Sequence, residues 1–301
     1  MKFKTGLLLP NLCLISAAFF WGMTFVAQKT SMDVMGPFSF TGIRFLLGGL
    51  FLIPLTQMLK FDPPDRIKPS LASNFPIGIL ILGLLIFTGI NLQQIGLVYT
   101  TPTHSALLTG VYIFLVPLFM VFIGRKLHWG TWCIGLMMMF GIYLLTVGDK
   151  LISDMNLGDL LSLICSVFWA AHIIWLDKMN TAGHNPLKIS IYQCMICGTL
   201  SLVLAMIFEE LNWNIIVQVL PQLLFASVFS ISIAFTLQVI GQRKVPPSFA
   251  AIILSSEAMF GSLADYIFLD TILTLSGYIG AVFIIIGVIL VQRLPISESQ
   301  K

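Results

Sequence analysis

The chain has 301 residues, of which 57% are hydrophobic and only 10% charged. A soluble globular domain carries about 25% charged residues, so this composition has too little charge to cover a water-facing surface. The formal charge of +3 is scattered along the chain, which excludes a nucleic-acid surface, since that needs a clustered basic footprint.

A helix needs roughly 20 apolar residues to cross about 30 Å of hydrocarbon. Runs of that kind fall near 7–28, 38–59, 75–98, 104–124, 129–147, 157–177, 187–208, 215–240, 248–269 and 272–292. The first follows Met-Lys-Phe-Lys, the opening of a signal peptide. It is long enough to span, however, and no small-x-small cleavage pattern follows it, so an uncleaved helix is expected. The runs are continuously apolar rather than alternating, which favours helices over a membrane barrel. A helix also satisfies its backbone groups within one segment. Charges and prolines collect in the links, as in 61–70 with Asp62, Pro63, Pro64, Asp65, Arg66, Lys68 and Pro69.

Lys and Arg are enriched in cytoplasmic loops. With the N-terminus inside, thirteen of them fall in cytoplasmic segments, Lys29 and Lys150 fall outside, and Arg44 lies within a span. Both termini are therefore expected in the cytoplasm.

The five cysteines, Cys13, Cys133, Cys165, Cys194 and Cys197, all sit in apolar runs. They read as small packing residues. Cys194 and Cys197 form a CxxC without a second pair, so neither metal nor cofactor is expected. HExxH, GxSxG, a Walker lysine loop and GxGxxG are absent. No enzyme activity is expected, and without a nucleotide-binding loop no ATP drives a process from this chain.

The two halves resemble each other. Phe20-Trp21-Gly22 in the first span matches Phe168-Trp169-Ala170 in the sixth. Pro37 and Pro186 precede the second and seventh spans, with Gly49 and Gly198 at the same distance beyond them. Gln94 and Gln238 each stand eight residues before a proline, Pro102 and Pro246, and Gly141 and Gly287 lie at similar depth in the fifth and tenth spans. Five helices is an odd number, so the second half inserts upside-down relative to the first. The expected fold is an all-α integral membrane protein of ten transmembrane helices in two inverted five-helix repeats, residues 1–148 and 149–301. Such repeats recur in secondary transporters, where alternating access exchanges the two packings about a central site.

These residues give the chain a family resemblance. Phe20-Trp21-Gly22, Gly42-Ile43-Arg44-Phe45, Pro117-Leu118-Phe119 and Ser256-Glu257-Ala258-Met259-Phe260-Gly261 resemble the drug/metabolite transporter superfamily, in particular its ten-helix EamA-type members. Ala258 stands where that family often has proline. The resemblance implies a carrier of amino acids or related metabolites, an exporter or exchanger, in a bacterial inner membrane.

Ionisable groups inside a span cost about 2.5–3.5 kcal/mol on insertion scales and are functional candidates by default. Arg44 lies roughly 10 Å below the outer surface at 1.5 Å per residue. It offers a guanidinium fork for a carboxylate or phosphate, or else a structural cation held by carbonyls. Glu257, near mid-bilayer by the same rise, could accept a substrate ammonium or carry a coupling proton; a helix–helix hydrogen bond is the plainer role. Asp265 is expected to pair with Arg44, and Asp159 to offset the dipole at a helix start. His172 is either a packing residue or a proton relay. Asn91, Gln93, Gln94 and Gln238 are able to bond across helices, and the last two recur in both halves. Phe20, Trp21, Trp169, Tyr112 and Tyr192 are candidate walls for an apolar group. Gly277 and Ala281 have the spacing for close helix approach, within the bundle or in a homodimer.

The partners expected are a small-molecule substrate, the lipid bilayer and protons. An integral-membrane enzyme acting on a lipid would need a convergent cluster of ionisable groups, whereas those here are dispersed in depth. A channel would need a polar stripe.

Overall fold

Helix starts are written into the sequence by cap residues and proline. Asn74, Thr101, Asn156, Asn185 and Thr274 each accept a hydrogen bond from a backbone N–H of the first turn, and Pro37, Pro102, Pro186 and Pro247 open helices where no donor is needed. The computed structural model describes residues 7–58, 71–146, 155–268, 270 and 272–295. Among these there is no strand.

The helices are α1 (Leu8–Ser31), α2 (Pro37–Met58), α3 (Phe75–Tyr99), α4 (Pro102–Thr109 continued by Tyr112–Phe122), α5 (Trp129–Thr146), α6 (Leu157–Thr181), α7 (Pro186–Phe208), α8 (Leu220–Gln242), α9 (Pro247–Leu254 continued by Glu257–Phe268) and α10 (Leu275–Val291). The first nine are long and apolar enough to cross a membrane. α10 has 17 residues, about 25 Å at 1.5 Å per residue. The protein is an all-helical integral membrane protein. The expected run 215–240 resolves into a short helix, Trp213–Gln218, and then α8. Lys2, Lys4, Lys60, Arg66, Lys68, Lys150 and Lys301, which carry part of the charge asymmetry, lie outside the described residues.

Three pairings join corresponding helices of the halves, α2 with α7, α5 with α10 and α4 with α9. The most extensive of the others come as exchanging pairs: α3–α6 with α8–α1, α4–α6 with α9–α1, and α3–α7 with α8–α2. These principal pairings are thus preserved when helices 1–5 and 6–10 trade places. Large apolar side chains face outward along the bundle, among them Leu9, Phe122, Phe208 and Ile272, as a lipid-facing surface requires. The five cysteines are free; four are buried and Cys133 faces outward.

Three irregularities shape the centre. α4 is interrupted at Gly110–Val111 and α9 at Ser255–Ser256. The α9 break occurs although Ala258 replaces the proline expected of the family. Ser255 and Ser256 donate instead to the carbonyls of Ile252 and Ile253, at 2.9 and 2.7 Å, a back-bonding that loosens helices. The third irregularity is a π-helical stretch, Ala226–Ala234, inside α8.

The tightest approach to a neighbouring backbone among the glycines of α10 is at Gly280 rather than at the expected Gly277. A Cβ on Gly280 would run into the Gly141 carbonyl of α5, whereas Gly277 has nothing nearer than 3.4 Å. The small-residue face of α10 is therefore used within the chain. Asp159 stands where the sequence places it, in a capping box with Asn156 at the start of α6, and its carboxylate also accepts from Thr100 Oγ1 at 2.6 Å.

Candidate functional site

The breaks and the π-helical stretch converge on one central cavity. Trp21, Phe25 and Gln28 of α1, Arg44 of α2, Ile90 and Gln93 of α3, and Tyr112 of α4 line it from the first half. Trp169 and Ile173 of α6, Ser230, Ile231, Phe235 and Gln238 of α8, and Leu254 and Glu257 of α9 line it from the second. Space open to the centres of water-sized molecules is about 40 Å³, room for about three waters.

The walls are aromatic. Trp21 and Phe235 meet edge-on with centroids 5.0 Å apart, Trp169 stacks on Phe235 at 6.2 Å, and the two tryptophans are 6.0 Å apart. Trp21 is fixed by its indole N–H, which donates to the Ser230 carbonyl at 3.1 Å. Ser230 belongs to the π-helical stretch, so the irregular winding of α8 positions an aromatic wall on α1.

The polar groups fall into two sets. Arg44 is 1% exposed. One Nη donates to Gln94 Oε1 at 3.1 Å, and the rings of Phe40 and Phe45 lie 5.0 and 5.6 Å from its Cζ. Glu257 begins the second piece of α9, where its Oε1 accepts from the Tyr112 hydroxyl at 3.3 Å. Gln238 is fully buried on the cavity wall, and among the described residues neither amide atom has a hydrogen-bond partner. Gln93 donates to Thr109 Oγ1 at 3.2 Å.

The structure therefore brings Glu257, Arg44, Trp21, Trp169, Tyr112 and Gln238 together. Gln94 stands behind Arg44 as its support. His172 is one layer out: its Nε2 is 2.9 Å from Gln193 Oε1, and its ring meets Trp169 edge-on at 5.7 Å. Asp265 lines a separate small cavity with Phe25, Pro102, Ala106 and Gly261, two turns beyond Glu257 toward the end of α9. One expectation fails. Tyr192 is 49% exposed on the bundle surface, edge-on to Phe75 at 5.6 Å, because its face of α7 points away from the centre. Phe25, Ile173 and Phe235 were not singled out by sequence. Phe25 and Ile173 were findable, since they stand 148 residues apart, as Trp21 and Trp169 do.

The EamA-like transporter family model matches this chain twice, over residues 8–147 and 156–293. An uncharacterized transporter of Archaeoglobus fulgidus is 31% identical over 286 residues, covering 95% of this chain and 86% of that protein. The uncharacterized transporter YvbV of Bacillus subtilis is 27% identical, covering 100% of this chain and 94% of its own length. A crystal structure with 17% sequence identity superposes with a TM-score of 0.76, covering 94% of this chain and 98% of that one, a likeness of fold. With two family matches, one over each set of five helices, and a central cavity that both sets line, the chain belongs to the EamA-like transporter family and is a multi-pass membrane transporter.

Proposed function

We propose that the protein is a secondary transporter that exports amino acids or related small metabolites by alternating access. The observation that carries this reading is the central cavity, walled by both halves, which holds a buried guanidinium, a buried carboxyl and an aromatic enclosure. Arg44 takes the substrate carboxylate through its fork. Glu257 takes the ammonium or a coupling proton, Gln238 supplies a carboxamide, and Trp21, Trp169 and Phe235 enclose the side chain. Two five-helix repeats, 1–148 and 149–301, inserted in opposite senses with both termini in the cytoplasm of a bacterial inner membrane, would account for principal pairings that survive exchange of the halves. Since the cavity has room only for a few waters, the helix pieces on either side of the breaks in α4 and α9 part to admit a substrate.

The test is counterflow. Proteoliposomes are loaded with an unlabelled mixture of the twenty amino acids and given the labelled mixture outside, with and without a proton gradient. Saturable uptake accelerated by internal amino acids supports the reading. Linear, unsaturable flux overturns it, and no flux of any amino acid overturns the assignment of amino acids as substrates.

A further inference from the structure

Tyr112 and Glu257 occupy corresponding places in the two halves. Each stands ten residues after the proline that opens its helix, Pro102 for α4 and Pro247 for α9. Each follows an eight-residue first piece and a two-residue interruption, and each is the first residue of the second piece. The two residues meet, with the Tyr112 hydroxyl donating to Glu257 Oε1 at 3.3 Å. Both side chains are buried, at 3% and 8% exposure. The two discontinuous helices are thus joined across the cavity at their breaks by one side-chain hydrogen bond, between a phenol and a carboxyl group.

We propose that Tyr112 is the positioning residue for Glu257 and that their hydrogen bond is the joint that opens in each transport cycle. This rests on the reading of Glu257 as the group that binds a proton or a substrate cation. A hydroxyl donating to a carboxylate makes a charge-assisted bond, roughly twice as strong as a neutral one. When Glu257 takes a proton from the water on one side, or its charge is taken by a substrate ammonium, that assistance is lost and the joint weakens. The second pieces of α4 and α9 are then free to separate and widen the cavity. Two other titratable groups lie near: Arg44 from α2, across the cavity from Glu257, and Cys165 from α6, whose thiol is 3.4 Å from Thr109 Oγ1 at the end of the first piece of α4. α1 and α8 present only neutral groups there, Trp21, Gln28 and Gln238.

The test reads the joint without any substrate. Trp21 and Trp169 share the cavity with Glu257, so intrinsic tryptophan fluorescence of the purified protein in nanodiscs is titrated with pH for wild type, Glu257→Gln, Tyr112→Phe and the double variant. Tyr112→Phe keeps the ring and removes only the hydroxyl. The joint predicts a wild-type transition that is absent in Glu257→Gln, displaced in Tyr112→Phe, and absent in the double variant. Melting curves identify any variant that fails to fold, in which case Tyr112→Met, which also lacks a donor and does not titrate, replaces Tyr112→Phe. A Tyr112→Phe midpoint identical to wild type overturns the positioning role, and a transition that persists in Glu257→Gln overturns Glu257 as the titrating end. Neither result depends on whether amino acids are transported, so counterflow can fail while the joint stands, and the reverse.

Discussion

A Cβ on Gly22 would stand 2.6 Å from the Glu257 carbonyl oxygen and 2.7 Å from the Gly261 nitrogen, so α1 and α9 touch backbone to backbone beside the residue that begins the second piece of α9. The glycine of the Phe-Trp-Gly motif thus packs on the backbone of Glu257, and the motif's tryptophan is the adjacent wall of the cavity.

Gly22→Ala is expected to destabilise the fold. Alanine gains about 1 kcal/mol of helix propensity over glycine, but the obstructing atoms are backbone and cannot swing aside. Overpacking of this kind costs about 1–3 kcal/mol, and replacement by valine costs more. Melting curves in detergent check this, and a melting temperature at or above wild type would show that α1 and α9 separate freely.

Gln94→Leu removes the hydrogen-bond partner of the Arg44 guanidinium. Leaving a buried charged donor unpaired costs about 1–3 kcal/mol or more, and 1.4 kcal/mol corresponds to tenfold in an equilibrium. A rise in counterflow KM of roughly tenfold is expected, with Arg44→Lys at least as damaging because the lysine has no fork. An unchanged KM in both variants would remove Arg44 from the substrate path.

His172→Gln is expected to leave the pH profile of transport unchanged while lowering thermal stability. The ring stands outside the cavity, bonded to Gln193 and packed on Trp169, so its contribution is to hold a wall in place. A shifted pH–rate profile would return His172 to the role of a proton relay.

Glu209, at the end of α7, caps the start of α2. Its carboxylate accepts from Phe38 N and Ser39 N, both at 2.8 Å, and from Ser39 Oγ at 2.5 Å. Glu209→Ala removes the cap and a favourable charge at the helix N-terminus, together about 1–2 kcal/mol. Lower stability with unchanged substrate preference is expected. A change in preference with normal stability would argue against a purely structural cap.

The helices were legible because span length and charge placement are set by the bilayer, and prolines such as Pro37, Pro186 and Pro102 mark where they start. The central site was partly legible for the same reason: a buried Arg44 or Glu257 is costly enough to be conspicuous. Which face of each helix turns inward was not legible. Lipid and core are both apolar, so no hydrophobic contrast separates Tyr112, which faces the cavity, from Tyr192, which faces out. The break at Ser255–Ser256 and the π-helical stretch Ala226–Ala234 contain neither proline nor glycine; they arise from serine back-bonding and tertiary fit, which run-length reading does not capture.

The surplus residue wound into α8 has a genetic consequence. Deleting one residue from a membrane helix ordinarily ruins everything downstream, because each position turns by about 100° at 3.6 residues per turn. Inside Ala226–Ala234 the same deletion would restore ordinary winding and leave Phe235 and Gln238 in register, while shifting the Ser230 carbonyl that holds the Trp21 indole. Here the chain can lose a residue and stay folded yet lose the fixing of one cavity wall, so that stability and selectivity are inherited separately.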